Sequence, residues 1–272
     1  MQDRSFRFSH AITRAPSCSV LYGLRAYDIG PPDLAQMQAH HQHYIEILRQ
    51  TGAQVVELPA LEAYPDATFV EDTALCLREV AVLMRSGAQS RAGEVGQIGP
   101  VLRGFYDQVL EISGSGFIEG GDILTTEREI LIGLSARTNQ AGVDECAQLV
   151  APWGYRVRCI KVPKDVLHFK TDCSLLDGET ILTTPRLAAS GCFENYRLIH
   201  TGEGEEAAAN AIRFNEVLIM AAGFPKTAAA LEMAGFNVKQ VENSECAKLD
   251  GGMSCLSLRF SPQSDTTDLK GD

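Results

Sequence analysis

Three segments of this chain share one pattern: a helical stretch, a glycine, two residues, then an apolar run. They are Thr51-Gly52-Ala53-Gln54-Val55, Trp153-Gly154-Tyr155-Arg156-Val157 and Ala234-Gly235-Phe236-Asn237-Val238. A glycine just past a helix supplies the left-handed residue that ends it without a Cβ penalty. Helices that run straight into strands, with hairpin-like segments between them, make this an α/β chain. Two architectures satisfy the pattern equally: an internally repeated α/β arrangement, and one three-layer α/β domain whose helices all end at glycine.

Hydrophobic spacing fills in the elements. Leu34, Met37, Tyr44, Ile45 and Leu48 recur at helical intervals and predict a helix over 31–50. Further helices are expected over 93–106, 139–150 and 226–234. Strands are expected over 8–13, 55–58, 68–77, 80–84, 109–112, 121–124, 129–134, 155–162, 167–176, 180–183, 216–220, 238–241 and 255–260. Asp177-Gly178 is a strong hairpin turn signal. With 272 residues the chain is long enough for one or two domains. No composition break marks a linker, so it reads as a single domain over 1–260 with a polar, disordered tail over 261–272.

Charge narrows the function classes. Lys and Arg number 24 against 35 Asp and Glu, a formal net charge of −11. Nucleic-acid binding needs clustered cations and is not expected. A cationic or zwitterionic small molecule suits this balance better. The first residues lack the apolar core of a signal peptide, and no window approaches the roughly 18 apolar residues of a membrane span. The expectation is a soluble cytoplasmic protein with no membrane partner, leaving open a monomer or a homodimer. The eight cysteines are scattered, with no C-x-x-C pair, and read mostly as buried reduced thiols.

Four constellations carry chemistry. Pro65-Asp66-Ala-Thr-Phe69-Val70-Glu71-Asp72-Thr73 puts acids on an apolar strand, which suits either a bound cation or a solvated strand start. Glu119-Gly120-Gly121-Asp122 reads as a tight turn through which backbone approaches something closely, or as a plain turn. Leu167-His168-Phe169-Lys170 places one histidine in a strand; His40, His41 and His43 fall on a polar helix face. Leu249-Asp250-Gly251-Gly252-Met253-Ser254-Cys255 puts a thiol after a glycine pair, either a nucleophile or another core cysteine. A nucleophilic cysteine needs a histidine near it in space, and His168 is the strand-borne candidate with acidic company.

Taken in order, these motifs resemble the dimethylarginine dimethylaminohydrolase family of guanidino-group-modifying enzymes. Arg85-Ser-Gly-Ala-Gln-Ser-Arg91 and Gly133-Leu-Ser-Ala-Arg137-Thr-Asn139 extend the match along nearly the whole chain. The resemblance implies a pentein fold, a five-bladed α/β propeller of ββαβ repeats. It implies hydrolysis of Nω-methylated arginine to citrulline and methylamine or dimethylamine, with no metal or cofactor. Cys255 would be the nucleophile, His168 the acid and base, and Glu119 the residue that orients His168. Asp72 and Glu71 would hold guanidinium nitrogens beside Phe69. Asp66 would take the α-amino group, and Arg91 and Arg137 the carboxylate. Leu249 and a loop at Val20, where the family pattern usually has Leu, would close over the substrate. Arginine deiminases and amidinotransferases share the Cys–His pair but typically carry H-x-D, where this chain has His168-Phe169-Lys170 and an aspartate only at Asp172. A non-catalytic arginine-binding pentein and a zinc hydrolase are competing readings of the same residues.

Overall fold

The computed structural model describes residues 5–163 and 166–263. The predicted tail lies outside the described residues from position 264 onward. In chain order the elements are β1 (His10–Arg14), α1 (Leu34–Gln50) and β2 (Gln54–Leu58); then β3 (Ala74–Cys76), β4 (Ala81–Leu83), α2 (Val95–Leu102) and β5 (Val109–Glu111). Next come β6 (Ile123–Thr125), β7 (Ile130–Leu134), α3 (Gln140–Val150) and β8 (Val157–Lys161), followed by β9 (Cys173–Leu175), β10 (Thr180–Thr183), α4 (Pro185–Ala188) and β11 (Arg197–His200). The last group is β12 (Ile212–Phe214), β13 (Val217–Ala221), α5 (Pro225–Met233), β14 (Val238–Val241), the one-turn α6 (Ser244–Ala247) and β15 (Leu258–Phe260).

Among the described residues these strands form five three-stranded sheets, β3-β4-β5, β6-β7-β8, β9-β10-β11, β12-β13-β14 and β15-β1-β2. Each has an antiparallel pair, then a helical crossover to a parallel third strand. This is the ββαβ repeat, five times, and the arrangement is the expected α/β propeller. The repeated architecture is therefore the correct one of the two that the glycine pattern allowed. The last sheet is shared between the two ends of the sequence: His10 pairs with Phe260 and with Gln54.

The middle strands are the most apolar, because both of their faces are covered. Ile130 to Ile132 and Leu218 to Met220 are fully buried. Each blade's crossover helix packs its apolar stripe on its own sheet. Met37, Tyr44 and Leu48 of α1 join Ala11 and Val241 in one cluster; Val143, Cys146 and Val150 of α3 join Ile130 and Ile132 in another. The glycines of the three repeated junctions have the left-handed conformation that the sequence required, with φ of +87° at Gly52, +80° at Gly154 and +91° at Gly235.

The structure corrects one class of expectation. Four segments read as strands each begin with a turn of 3-10 helix instead: Val70–Thr73 precedes β3, Gly120–Asp122 precedes β6, Phe169–Thr171 precedes β9 and Ser254–Leu256 comes just before β15. Glu206–Ala209 comes shortly before β12 in the same way, over residues where no strand was expected. Turns of three or four residues are too short to show a period of their own, so the strand pattern that follows is read back through them. His168 is consequently at the N-terminal edge of a 3-10 turn, not in a strand. The three histidines of α1 also divide: His43 is exposed, but His41 is buried in the helix's inner face, where burial pushes its pKa down to about 4.

Gly154→Ala isolates the backbone cost, because a Cβ at that position meets no atom within 4 Å. The expected loss is about 1–2 kcal/mol, read as a lower urea midpoint with an unchanged m-value.

Candidate active site

Every expected catalytic group, and both expected guanidinium ligands, lie in or beside one of the 3-10 turns. Glu71 and Asp72 are inside Val70–Thr73, Glu119 precedes Gly120–Asp122, His168 precedes Phe169–Thr171, and Cys255 is inside Ser254–Leu256. The first of these turns packs against the second and the last, and the second packs against the third. The propeller thus brings together residues from four blades, separated by up to 184 positions in sequence, from Glu71 to Cys255.

His168 Nε2 is 2.7 Å from Glu119 Oε2 and 4.0 Å from Asp72 Oδ1. Burial alone lowers the imidazole's pKa, but the charges of Asp72 and Asp122 and the Glu119 bond reverse that and raise it to about 9. Burial raises Glu119, and the bond and charge of His168 outweigh it, so its pKa falls to about 2. Ser86 Oγ and Arg137 Nη1 also donate to Glu119 Oε1. The pair is therefore imidazolium and carboxylate at neutral pH. Cys255 differs. Burial, then the negative charges of Glu71 and Asp72, push its thiol up to about 12. Without a cation beside it, Cys255 is a protonated thiol.

Asp72 is buried and accepts from Gly121 N at 2.8 Å and from Arg91 Nη1 at 2.5 Å. Gly121 is required there: a Cβ would lie 2.8 Å from the His168 ring and 2.9 Å from Asp72 Oδ1. The E-G-G-D motif is thus the close backbone approach, not a plain turn. Asp122 accepts from Ser135, Thr138 and the Phe169 amide, and so ties two blades together beneath His168.

Three expected substrate contacts have different partners here. Arg91, expected to hold a carboxylate, is buried and uses its guanidinium on Asp72, on both oxygens of Glu94 and on the Phe69 carbonyl. Glu71, expected beside the guanidinium, accepts from Lys170, Arg259 and Ser254. Neighbours in a 3-10 turn diverge by about 120°, so Asp72 facing His168 turns Glu71 away. Val20 is fully buried in the core with Phe69, Leu249 and Met253, because the 3-10 turn Cys18–Tyr22 tucks it inward. The covering loop approaches instead at Gly23 and Leu24, whose amide donates to Asp66 Oδ1 at 2.9 Å. Asp250, in the left-handed region at φ 57°, takes the Ala26 amide from the other side at 2.6 Å. Asp66, Phe69 and Leu249 therefore contact this segment, and Arg137 reaches Glu119 with one long contact of 3.4 Å. Burial raises the Asp66 pKa, partly offset by Arg91.

Asp72, Glu119 and His168 offer ligand atoms within 4.8 Å of one another. An imidazolium has no lone pair for a metal, so this cluster is a poor cation site at neutral pH. A cavity of about 830 Å³ lies on the other side of Glu71 and Lys170 and is lined by neither Cys255 nor His168. Asp172 forms a forked ion pair with Arg186 in its own blade. Ser86 and Ser254 stood inside quoted motifs without a role, and Glu94, Asn210 and Arg259 were absent from the sequence reading. The available signal for Arg259 was one cation between Leu258 and Phe260; Asn210 gave none.

A family model described as arginine deiminase matches residues 101–228. The chain is 37% identical over 254 residues to N(G),N(G)-dimethylarginine dimethylaminohydrolase of Pseudomonas aeruginosa, covering 93% of this chain and 100% of that one. It is 33% identical over 219 residues to the Streptomyces coelicolor protein of the same name, covering 80% and 83%. A crystal structure of the Pseudomonas aeruginosa protein, a cysteine-to-serine mutant complexed with citrulline, superposes with a TM-score of 0.91 at 36% identity over 94% of this chain and 100% of that one. An adduct of a histidine-to-glycine variant with S-methyl-L-thiocitrulline gives the same TM-score at 36% identity, over 93% and 100%.

The His168–Glu119 pair has a definite pH signature. The raised His168 pKa contributes stability in full below its ordinary value of 6.5 and loses it as pH rises through about 9. The depressed Glu119 pKa contributes above its ordinary 4.5 and loses it as pH falls through about 2. The stability difference between wild type and His168→Asn, from urea melts, is expected to be largest between pH 4.5 and 6.5 and to shrink above pH 9. A difference that grows as pH rises from 6.5 to 9 contradicts the assignment.

Proposed function

The chain belongs to the dimethylarginine dimethylaminohydrolase family, and from that premise we propose that it hydrolyses Nω-methylated arginine to citrulline plus methylamine or dimethylamine. The observation that carries this reading is the buried His168–Glu119 ion pair, which shares Asp72 with the surroundings of a neutral Cys255. Such a site is short of one positive charge, and a guanidinium supplies it.

The substrate's guanidinium lies between Asp72 and Cys255, with Phe69 beside it. Its charge lowers the thiol pKa, and the thiol loses its proton to solvent. The thiolate of Cys255 attacks the guanidinium carbon. His168, already protonated, gives its proton to the departing methylated amine, and the C–N bond breaks to leave a covalent thiouronium on Cys255. Neutral His168 then takes a proton from water as the water adds to that carbon. The C–S bond breaks as the added hydroxyl gives its remaining proton to the departing sulfur, so neutral citrulline leaves and Cys255 returns to its resting thiol. Glu119 keeps His168 oriented throughout and favours its protonated form. Arg137, with one long protein contact, is the better placed arginine for the substrate carboxylate, and Arg91 holds Asp72. Asp66 takes the α-amino group, exchanging its bond to the Leu24 amide for one to the ligand, so substrate binding and loop position are linked. A deiminase activity has less support, because the carboxylate of Asp172 is bound to Arg186 and His168 is followed by Lys170 two positions on. Among the described residues no helix is long and apolar enough to cross a membrane, which is compatible with the cytoplasmic, small-molecule role we infer.

Citrulline should form from asymmetric dimethylarginine and monomethylarginine, with methylated amines released in equal amount. Citrulline and ammonia from arginine alone would make the protein a deiminase. Cys255→Ser is expected to abolish turnover with the fold intact, whereas Cys76→Ser, the matched control, leaves it unchanged. Asp72→Asn should lower kcat/KM by about one to two orders of magnitude, the worth of one charge-assisted hydrogen bond of roughly 1.5–3 kcal/mol.

A further inference from the structure

The residue before the nucleophile is held at every polar atom. Ser254 N donates to Asn210 Oδ1 at 2.8 Å, Ser254 O accepts from Arg259 Nη1 at 2.8 Å, and Ser254 Oγ donates to Glu71 Oε2 at 2.7 Å. Arg259 is the branching point of this cage. Its Nη1 also reaches the carbonyl of Ser257 at 2.8 Å and its hydroxyl at 3.0 Å, and that hydroxyl bonds Tyr44. Its Nη2 donates to Glu71 Oε1 at 2.5 Å, the same oxygen that takes Lys170 Nζ at 2.6 Å. Lys170 is two residues past His168, and Glu71 is next to Asp72. One buried carboxylate thus connects the three segments that carry His168, Asp72 and Cys255.

We propose that Arg259 is a positioning residue for Cys255, fixing the Ser254–Ser257 turn through its fork and, through Glu71 and Lys170, setting that turn against the segment that carries His168. The proposal rests on Cys255 being the nucleophile of the reading above. It also gives Glu71 a role other than substrate ligand. Its carboxylate is one of the charges that face the thiol, with Asp72 and Lys170, and Arg259 neutralises it. Losing a bidentate cation therefore has two separable effects: the turn loosens, and Glu71 acts on Cys255 with less compensation.

The test compares Arg259→Met, Arg259→Lys and Ser254→Ala in the full chain. It reads kcat and KM on asymmetric dimethylarginine, and the pH profile of Cys255 alkylation by iodoacetamide, followed by peptide mapping because seven other thiols are present. Arg259→Met should lower kcat by about 10–100-fold, the usual cost of losing an outer partner of a reacting group, with KM changed far less. Its alkylation should be about tenfold slower than wild type at each pH below about 10, the thiolate fraction being smaller. Arg259→Lys should return the profile toward wild type, since the charge is restored, yet keep most of the kcat loss, since an ammonium lacks the fork. Ser254→Ala, which deletes only the Glu71 bond at the turn, should lower kcat in the same direction; it decides the matter if Arg259→Met does not fold. Wild-type kcat and an unmoved alkylation profile in the folded variants overturn the proposal, as does lost stability with both readouts unchanged. If wild type turns over no methylated arginine, the functional reading fails first, and the alkylation arm still decides whether Arg259 governs Cys255.

Discussion

Burying a carboxylate without a partner costs several kcal/mol, and this protein buries Asp66, Glu71, Asp72, Glu94, Glu119 and Asp122 around one axis. Each has acquired donors; Glu94 takes them from Arg91 of its own blade, but the others each have at least one donor from another blade. Asp72 is bonded by Gly121, Asp122 by Phe169, Glu119 by His168, and Glu71 by Lys170 and Arg259. The apolar clusters hold each sheet to its helix, but these charged contacts orient one blade against the next. The machinery for chemistry and the joints of the ring are the same set of bonds.

That identity explains why Cys255 rests as a thiol. A site rich in paired acids has already used its cations on those acids, and what remains beside the sulfur is net negative. The protein does not supply the final charge; the substrate does. A site built this way discriminates against neutral ureas such as the citrulline product, which bring no charge to stabilise a thiolate.

Much of the fold was legible in the sequence. Gly52, Gly154 and Gly235 announced three helix–strand junctions, and helical spacing located α1, α3 and α5 within a few residues. The blade count was not in the periodicity, because the short helix Pro185–Ala188 and the strands Arg197–His200 and Ile212–Phe214 leave too few residues to show a period. The chemical motifs were visible as residue types, and the ordered resemblance gave them roles. Their directions were not visible. Reading 68–77 as a strand put Glu71 and Asp72 on opposite faces of a sheet, whereas the 3-10 turn at Val70–Thr73 sends Asp72 toward His168 and Glu71 toward Lys170 and Arg259. Partners that depend on closure of the ring, such as Asn210 on Ser254, carry no local signal at all.

The blade made from β15, β1 and β2 has a consequence for synthesis. The ring closes only when Leu258 to Phe260 pairs with His10 to Ile12 across some 250 residues, a contact among the slowest for a chain to find. Cys255 enters the axis on the segment that makes that contact. During translation the acids and the histidine are therefore made before the sulfur, and a chain that lacks the β1–β15 pairing does not yet hold Cys255 in the ring. On the proposed mechanism incomplete copies are chemically silent, so catalytic competence reports on completion of the whole circle.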